Sequence, residues 1–323
     1  MNALLILSWI AMTGMFSSSF YAFSYVAKFD MPVDFMMFYR MMIACLVVFF
    51  IIRLKKQRFL IKKSEVLLSV LVSVSQLNVY LSGYATKYII SGLVPCILLA
   101  QIFVAEFLVS IYEKRRMHGN IILSGIIGLI GVFMLCNQQL KGIEKADTIK
   151  TLMGIGLAFL STFASALGNL IYEKGGKPIR EMPRTTFLFY NCFFAGIAFL
   201  LIGLIFRPTH MLFNSNILLD KKYMSTLCYL AFGPTTIALF AMYYIIEKQG
   251  AVKTTYVNFI LPVIAMLIST ILEGFKWNAV AVIGMFLLLF SVWIGIKPKR
   301  TNNGKIPFNK LVLVRKLIGE QNN

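Results

Sequence analysis

A chain of 323 residues that is 59% hydrophobic and 14% charged, with a mean hydropathy of +0.77, carries more apolar side chain than a soluble core can hide, which excludes an ordinary globular domain and makes lipid its solvent. The formal net charge of +19 would suggest nucleic acid in a soluble protein, but the 32 Lys and Arg crowd into short loops between apolar runs, a topology pattern that excludes a nucleic-acid partner. Five cysteines fall singly in apolar runs, both histidines fall in expected loops, and no phosphate-binding glycine motif is present, so no disulfide framework, metal site, ATP site, cofactor or catalytic constellation is expected and the chain does not read as an enzyme.

In chain order, Met1-Asn2-Ala3 leads straight into an apolar run without a basic leader segment, which is expected to be a retained first helix. Apolar windows of about bilayer length place spans near 3–27, 35–52, 66–84, 92–111 and 118–136. After a polar break from Asn137 to Lys150 they resume near 152–171, 186–206, 224–245, 254–271 and 277–296. The expected fold is therefore all-α, with ten transmembrane helices. Residues 1–136 form a first five-helix repeat, 137–151 a periplasmic linker, 152–296 a second repeat and 297–323 a basic cytoplasmic tail.

The loops after the even-numbered spans, with the tail, hold 22 Lys and Arg against 9 in the other loops, which puts both termini in the cytoplasm. A cell inner membrane is the expected location, with membrane lipids as partners and a homodimer as the expected assembly. Because each half has an odd number of helices, a duplicated unit must enter the membrane from opposite sides in its two copies. Such inverted repeats are a recurrent plan of secondary transporters. Pro95 followed eleven residues later by Glu106, and Pro262 followed eleven residues later by Glu273, support the duplication.

Phe38-Tyr39-Arg40, then Tyr84-Ala85 and Tyr88 leading to Leu93-Val94-Pro95, recur in kind as Tyr243-Tyr244, Gly250-Ala251-Val252, Leu261-Pro262-Val263 and Leu272-Glu273-Gly274. In this order and on a five-plus-five plan the chain resembles the drug/metabolite transporter superfamily in its EamA-like branch. The resemblance covers nearly the whole chain to about residue 296. It implies an ATP-independent carrier for a small polar metabolite, such as an amino acid or derivative, or a nucleotide-like compound such as S-adenosylmethionine. Two acids near the end of span 4, Glu106 and Glu113, depart from that family's single acid at the helix end. A non-transporting membrane scaffold or sensor is the rival from another class, and a lipid-processing enzyme would need clustered acids or histidines that the loops lack.

An ionisable side chain within hydrocarbon persists only against protein or water, which singles out Arg40 and Glu106. Arg40 either receives a carboxylate or phosphate of the substrate or snorkels outward to clamp loop carbonyls. Glu106 either meets a cation or coupling proton or pairs with basic residues of its own loop. Ser69, Ser73, Gln76, Tyr80 and Tyr84 form one helical face in span 3, answered by Ser161, Ser165, Asn169 and Tyr172 in span 6. A hydroxyl stripe can serve as glue between helices, but amides and tyrosines are costly in lipid unless bonded. The expected cavity lining is therefore Gln76, Tyr80, Gln101, Asn169, Tyr243 and Asn258, with Arg40 and Glu106 as further substrate contacts. Pro95 and Pro262 either bend their helices as gates or merely kink them for packing.

Overall fold

The computed structural model describes residues 3–59, 62–114, 116–117, 119–140, 145–250, 254 and 260–296, and these are helical with no strand among them. In the first half, α1 (Ala3–Val26) and α2 (Val33–Leu54) are unbroken, the third expected span divides into α3 (Lys63–Ser73) and α4 (Gln76–Ala85), the fourth into α5 (Leu93–Leu98) and α6 (Gln101–Tyr112), and α7 (Gly119–Leu140) completes the set. In the second half, α8 (Lys145–Lys174) leads through short α9 (Gly176–Glu181) to α10 (Arg184–Phe206), and α11 (Ser215–Leu218) leads to α12 (Lys221–Leu230). From there the chain runs through a π-helical stretch, Ala231–Ala238, into α13 (Leu239–Gln249) and on to α14 (Leu261–Leu272) and α15 (Ala279–Ile296).

Local chemistry sets these ends. Pro32 and Pro183 stand just before α2 and α10 with ψ of 139° and 135°, where a missing N–H costs nothing. Glu65 accepts the Lys62 backbone N–H at 2.8 Å to start α3, and Asp220 accepts the N–H groups of Lys222 and Tyr223 to start α12. Gly250 ends α13 at a φ of +89°, a backbone that side chains strain to adopt.

Seven of the described helices are long and apolar enough to cross a membrane: α1, α2, α3 with α4, α5 with α6, the 148–174 stretch of α8, α10, and α12 through α13. Shorter apolar helices at Ile122–Asn137, Leu261–Leu272 and Ala279–Ser291 fall where the remaining expected spans lie. Leu7, Ile10, Phe133, Ile205, Phe206 and Phe286 are more than half exposed, an apolar outer surface that lipid covers. Helix also extends beyond the expected apolar limits, since α7 runs on to Leu140 and α8 starts at Lys145, so only residues 141–144 of the expected linker fall outside the described chain between them. The basic tail from residue 297 lies outside the described residues.

Helices of the first half pack on helices of the second: α1 on α12 to α13 and on α14, α2 on α10, α3 and α4 on α8, α5 on α8 and α14, α6 on α8, and α7 on α15. With the expected spans of each half numbered one to five, one meets three and four, three and four each meet one, and two, four and five each meet their own number. Small residues permit the closest of these approaches. A Cβ added to Gly131 would lie 2.7 Å from the carbonyl oxygen of Gly284, and one added to Gly168 would lie 2.8 Å from the Ser75 Cα.

Gly131→Val should force α7 and α15 apart. Thermal unfolding of the purified protein should report a loss of about 1–3 kcal/mol, and the open Gly156→Val, with nothing near its added Cβ, should cost far less.

Candidate functional site

Where the two halves meet they enclose a cavity of about 80 Å³, partly open to solvent. One part of its wall is apolar, with Met12, Phe16, Phe20 and Phe23 from α1 and Leu239 and Met242 from α13. The other part is polar, with Arg40 of α2, Ser75, Gln76 and Asn78 at the α3 to α4 break, Gln101 at the start of α6, and Ser165 and Asn169 of α8. The Gln101 amide donates to the Ser165 hydroxyl at 2.8 Å, and the Gln76 amide donates to Asn191 Oδ1 at 2.7 Å. Gln76 Oε1 and Asn169 Oδ1 are buried and without a hydrogen-bond partner among the described residues.

Arg40 lies seven residues into α2, roughly 10 Å along the helix, and is 2% exposed. It does not snorkel. Its guanidinium lies 4.7 Å from the Phe23 ring centroid, and its Nε donates to the Thr235 hydroxyl at 2.6 Å and the Leu230 carbonyl at 3.2 Å. Leu230 is free to accept because the residue four places on, Pro234, has no N–H to give it. The wider π turn also lets Thr235 and Thr236 donate five residues back, to the carbonyls of Leu230 and Ala231, each at 2.9 Å. Arg40 Nη1 is left buried and unpartnered beside the cavity, and no acid pairs with this guanidinium among the described residues.

Two polar latches lie at the opposite ends of α10. At its C-terminal end, Asp34, 1% exposed at the start of α2, accepts from the Tyr80 hydroxyl, from the Tyr84 hydroxyl at 2.9 Å and from Arg207 Nε at 3.2 Å, while Arg207 Nη2 donates to Tyr84 at 2.9 Å. At its N-terminal end, Glu247 accepts from Arg184 Nε at 2.6 Å and the Tyr172 hydroxyl at 2.7 Å, with the Arg184 guanidinium 4.8 Å from the Tyr244 ring centroid. Beside it Lys174 pairs with Glu113 at 3.1 Å and Glu173 at 3.4 Å. The two latch arginines are roughly 35 Å apart along the helix, about the depth of a bilayer core. In the loop beyond α4, burial and then the neighbouring Arg207 guanidinium lower the Lys87 ammonium below its usual value.

Of the residues expected to bind substrate, the structure brings Arg40, Gln76, Gln101 and Asn169 to one cavity. Tyr80 instead joins the Asp34 latch and stacks on Phe199, with ring centroids 5.1 Å apart. Tyr243 is fully buried between Tyr172 and Phe187, its hydroxyl donating to Asn191 Oδ1 at 3.3 Å. Glu106 is buried on α6 and does not line the cavity. Asn258 lies outside the described residues. Pro95 stands in the first turn of α5 and Pro262 in the first turn of α14, where neither interrupts a helical hydrogen bond. The interrupted helix is at Pro234, which sequence reasoning passed over although Gly233-Pro234 inside an apolar run was a visible signal. Asp34 was likewise passed over.

Residues 152–296 match the model of the EamA-like transporter family. A solved structure, described only as a crystal structure of a protein, shares the fold with a TM-score of 0.67 over 92% of this chain and 97% of that one, at 13% sequence identity. No curated protein matches the chain in sequence.

Thr235→Val removes the acceptor of the shorter Arg40 hydrogen bond inside a buried cation's shell. It should cost about 1.5–3 kcal/mol in thermal unfolding, whereas Thr236→Val, whose hydroxyl bonds only a carbonyl of its own helix, should cost about 1 kcal/mol or less.

Proposed function

From the premise that this is a multi-pass membrane chain whose residues 152–296 match the EamA-like transporter family, we propose that it is an ATP-independent carrier of a small polar metabolite, such as an amino acid or derivative, working by alternating access. The observation that carries this reading is a polar-walled cavity between the two halves with a latch at either end of α10. A channel would keep a path open across the membrane, whereas a carrier needs a central site and a closure on each side. Both latches are made in this structure.

The chain crosses the membrane ten times as two inverted five-helix repeats. What supports this is the pairing of helices, in which each span of one half meets the span that a two-fold axis would assign to it in the other. The third span of each half is also interrupted near its middle, by the α3 to α4 break in one and by the π segment in the other. The excess of Lys and Arg on one side puts both termini in the cytoplasm of a cell whose inner membrane holds the protein. The latch of Glu247 then closes the cytoplasmic side and that of Asp34 the outer side.

Substrate sits among Gln76, Gln101, Asn169 and Arg40. Glu106, Tyr80 and Tyr243 act behind this wall, through the helices that carry it. Opening one latch while keeping the other exposes the cavity to one side at a time. The free energies of the two open states must stay within a few kcal/mol of each other, or the carrier would rest in one of them.

Reconstituted protein should exchange a labelled solute for the same unlabelled solute without ATP, saturably, for a member of a panel of amino acids, polyamines, nucleotides and S-adenosylmethionine. Asn169→Leu, which removes a cavity polar group while retaining bulk, should lower that exchange by about tenfold or more with little change in unfolding temperature. Absence of counterflow for every solute, from protein that unfolds cooperatively, would contradict the carrier reading.

A further inference from the structure

Resting on the carrier reading, we infer that the cavity takes a substrate by a carboxylate seated on Arg40 and refuses one whose only charge is positive. Arg40 is the one charged side chain in the cavity wall among the described residues, and it is 2% exposed. A cation brought into this space would meet a like charge in low dielectric, with no carboxylate among the described residues of the wall to offset it.

The geometry of the guanidinium points the same way. Nε is fixed by the Thr235 hydroxyl and the Leu230 carbonyl, and the Phe23 face covers the delocalised charge, yet all three partners are neutral. Nη1 donates to nothing among the described residues. A buried guanidinium held only by neutral groups retains most of its desolvation cost, and an incoming carboxylate offers both the missing charge and the missing acceptor. Carboxylate matches one guanidinium with one negative charge, which a phosphate dianion would exceed.

The rest of the substrate is specified by what remains unpaired. Gln76 Oε1 and Asn169 Oδ1 are acceptors without donors, so they call for N–H or O–H groups on the same molecule. The Phe16, Phe20 and Met12 side of the wall favours an apolar body. A carboxylate, a hydrogen-bond donor and an apolar stem on one small molecule satisfy all three demands.

The test uses the full chain in lipid nanodiscs and three probes of one shape: L-leucine, L-leucinamide, which lacks the carboxylate and is a cation, and 4-methylpentanoate, which lacks the amine. Thermal unfolding should shift upward with leucine in a concentration-dependent way, less with 4-methylpentanoate, and not with leucinamide. Arg40→Gln should bind leucine at least about tenfold more weakly. Arg40→Lys, which retains a cation should the glutamine variant fail to fold, should keep the preference for leucine over leucinamide at reduced affinity. Leucinamide binding as tightly as leucine, leucine affinity indifferent to Arg40→Gln, or no shift with either carboxylate would each overturn the inference. Binding in nanodiscs requires no transport, so the two readings fail separately. Protein that prefers the carboxylates but exchanges no solute would overturn the carrier, and protein that exchanges amines but ignores carboxylates would overturn the assignment of Arg40.

Discussion

The Leu230 carbonyl is where the interior of this protein is organised. In lipid every backbone polar group must find a partner within the protein, and Pro234 withholds the one that an α-helix would supply. The chain answers by widening into a π turn and by placing Arg40 of α2 against the freed oxygen. One hydrogen-bonding defect thereby fixes the position of a buried charge. It also ties the first half of the chain to the second, since α2 and the π segment lie on opposite sides of the sequence midpoint. Removing the arginine would leave the Leu230 oxygen to the Thr235 hydroxyl, and replacing the proline would offer that oxygen a backbone N–H in competition with Arg40.

Around that junction the two halves are arranged as counterparts, and the latches repeat the arrangement with the charges exchanged. In the first half an acid at the start of the second span, Asp34, meets Tyr84 at the end of the third. In the second half a base at the start of the second span, Arg184, meets Glu247 at the end of the third. Each latch then recruits one more helix, through Arg207 in one case and Tyr172 in the other. Arg207 is 43% exposed on its side chain while Asp34 is 2% exposed, so solvent screens only the basic partner of that pair; Arg184 and Glu247 are 31% and 30% exposed, and a partly solvated pair of that kind contributes about 1 kcal/mol or less.

Much of the fold was legible in the sequence because lipid imposes a simple rule: runs of about 20 apolar residues become helices, and their order follows. Side-chain facing was harder to read. Gln76, Tyr80 and Tyr84 fall on one face of an ideal third span, but the helix breaks at Val74 and Ser75, with neither proline nor glycine to mark the place, and Gln76 goes to the cavity while the tyrosines go to Asp34. The acid itself was invisible as a site because its partners lie 46, 50 and 173 residues away. Proline was informative only with helix ends in hand. Pro95 and Pro262 open helices, where the missing N–H costs nothing, whereas Pro234 interrupts one, and sequence windows uncertain by several residues cannot separate the two cases.

The most direct test of alternating access is to follow both ends of α10 at once. Pairs of spin labels across the Asp34 to Arg207 end and across the Arg184 to Glu247 end, placed on neighbouring exposed positions in liposomes, would yield distance distributions with and without substrate. Alternating access requires the two ends to open in opposition: a population with one distance lengthened keeps the other short, and substrate shifts the balance between them. Distances that remain single and unchanged at both ends, or that lengthen together, would contradict it.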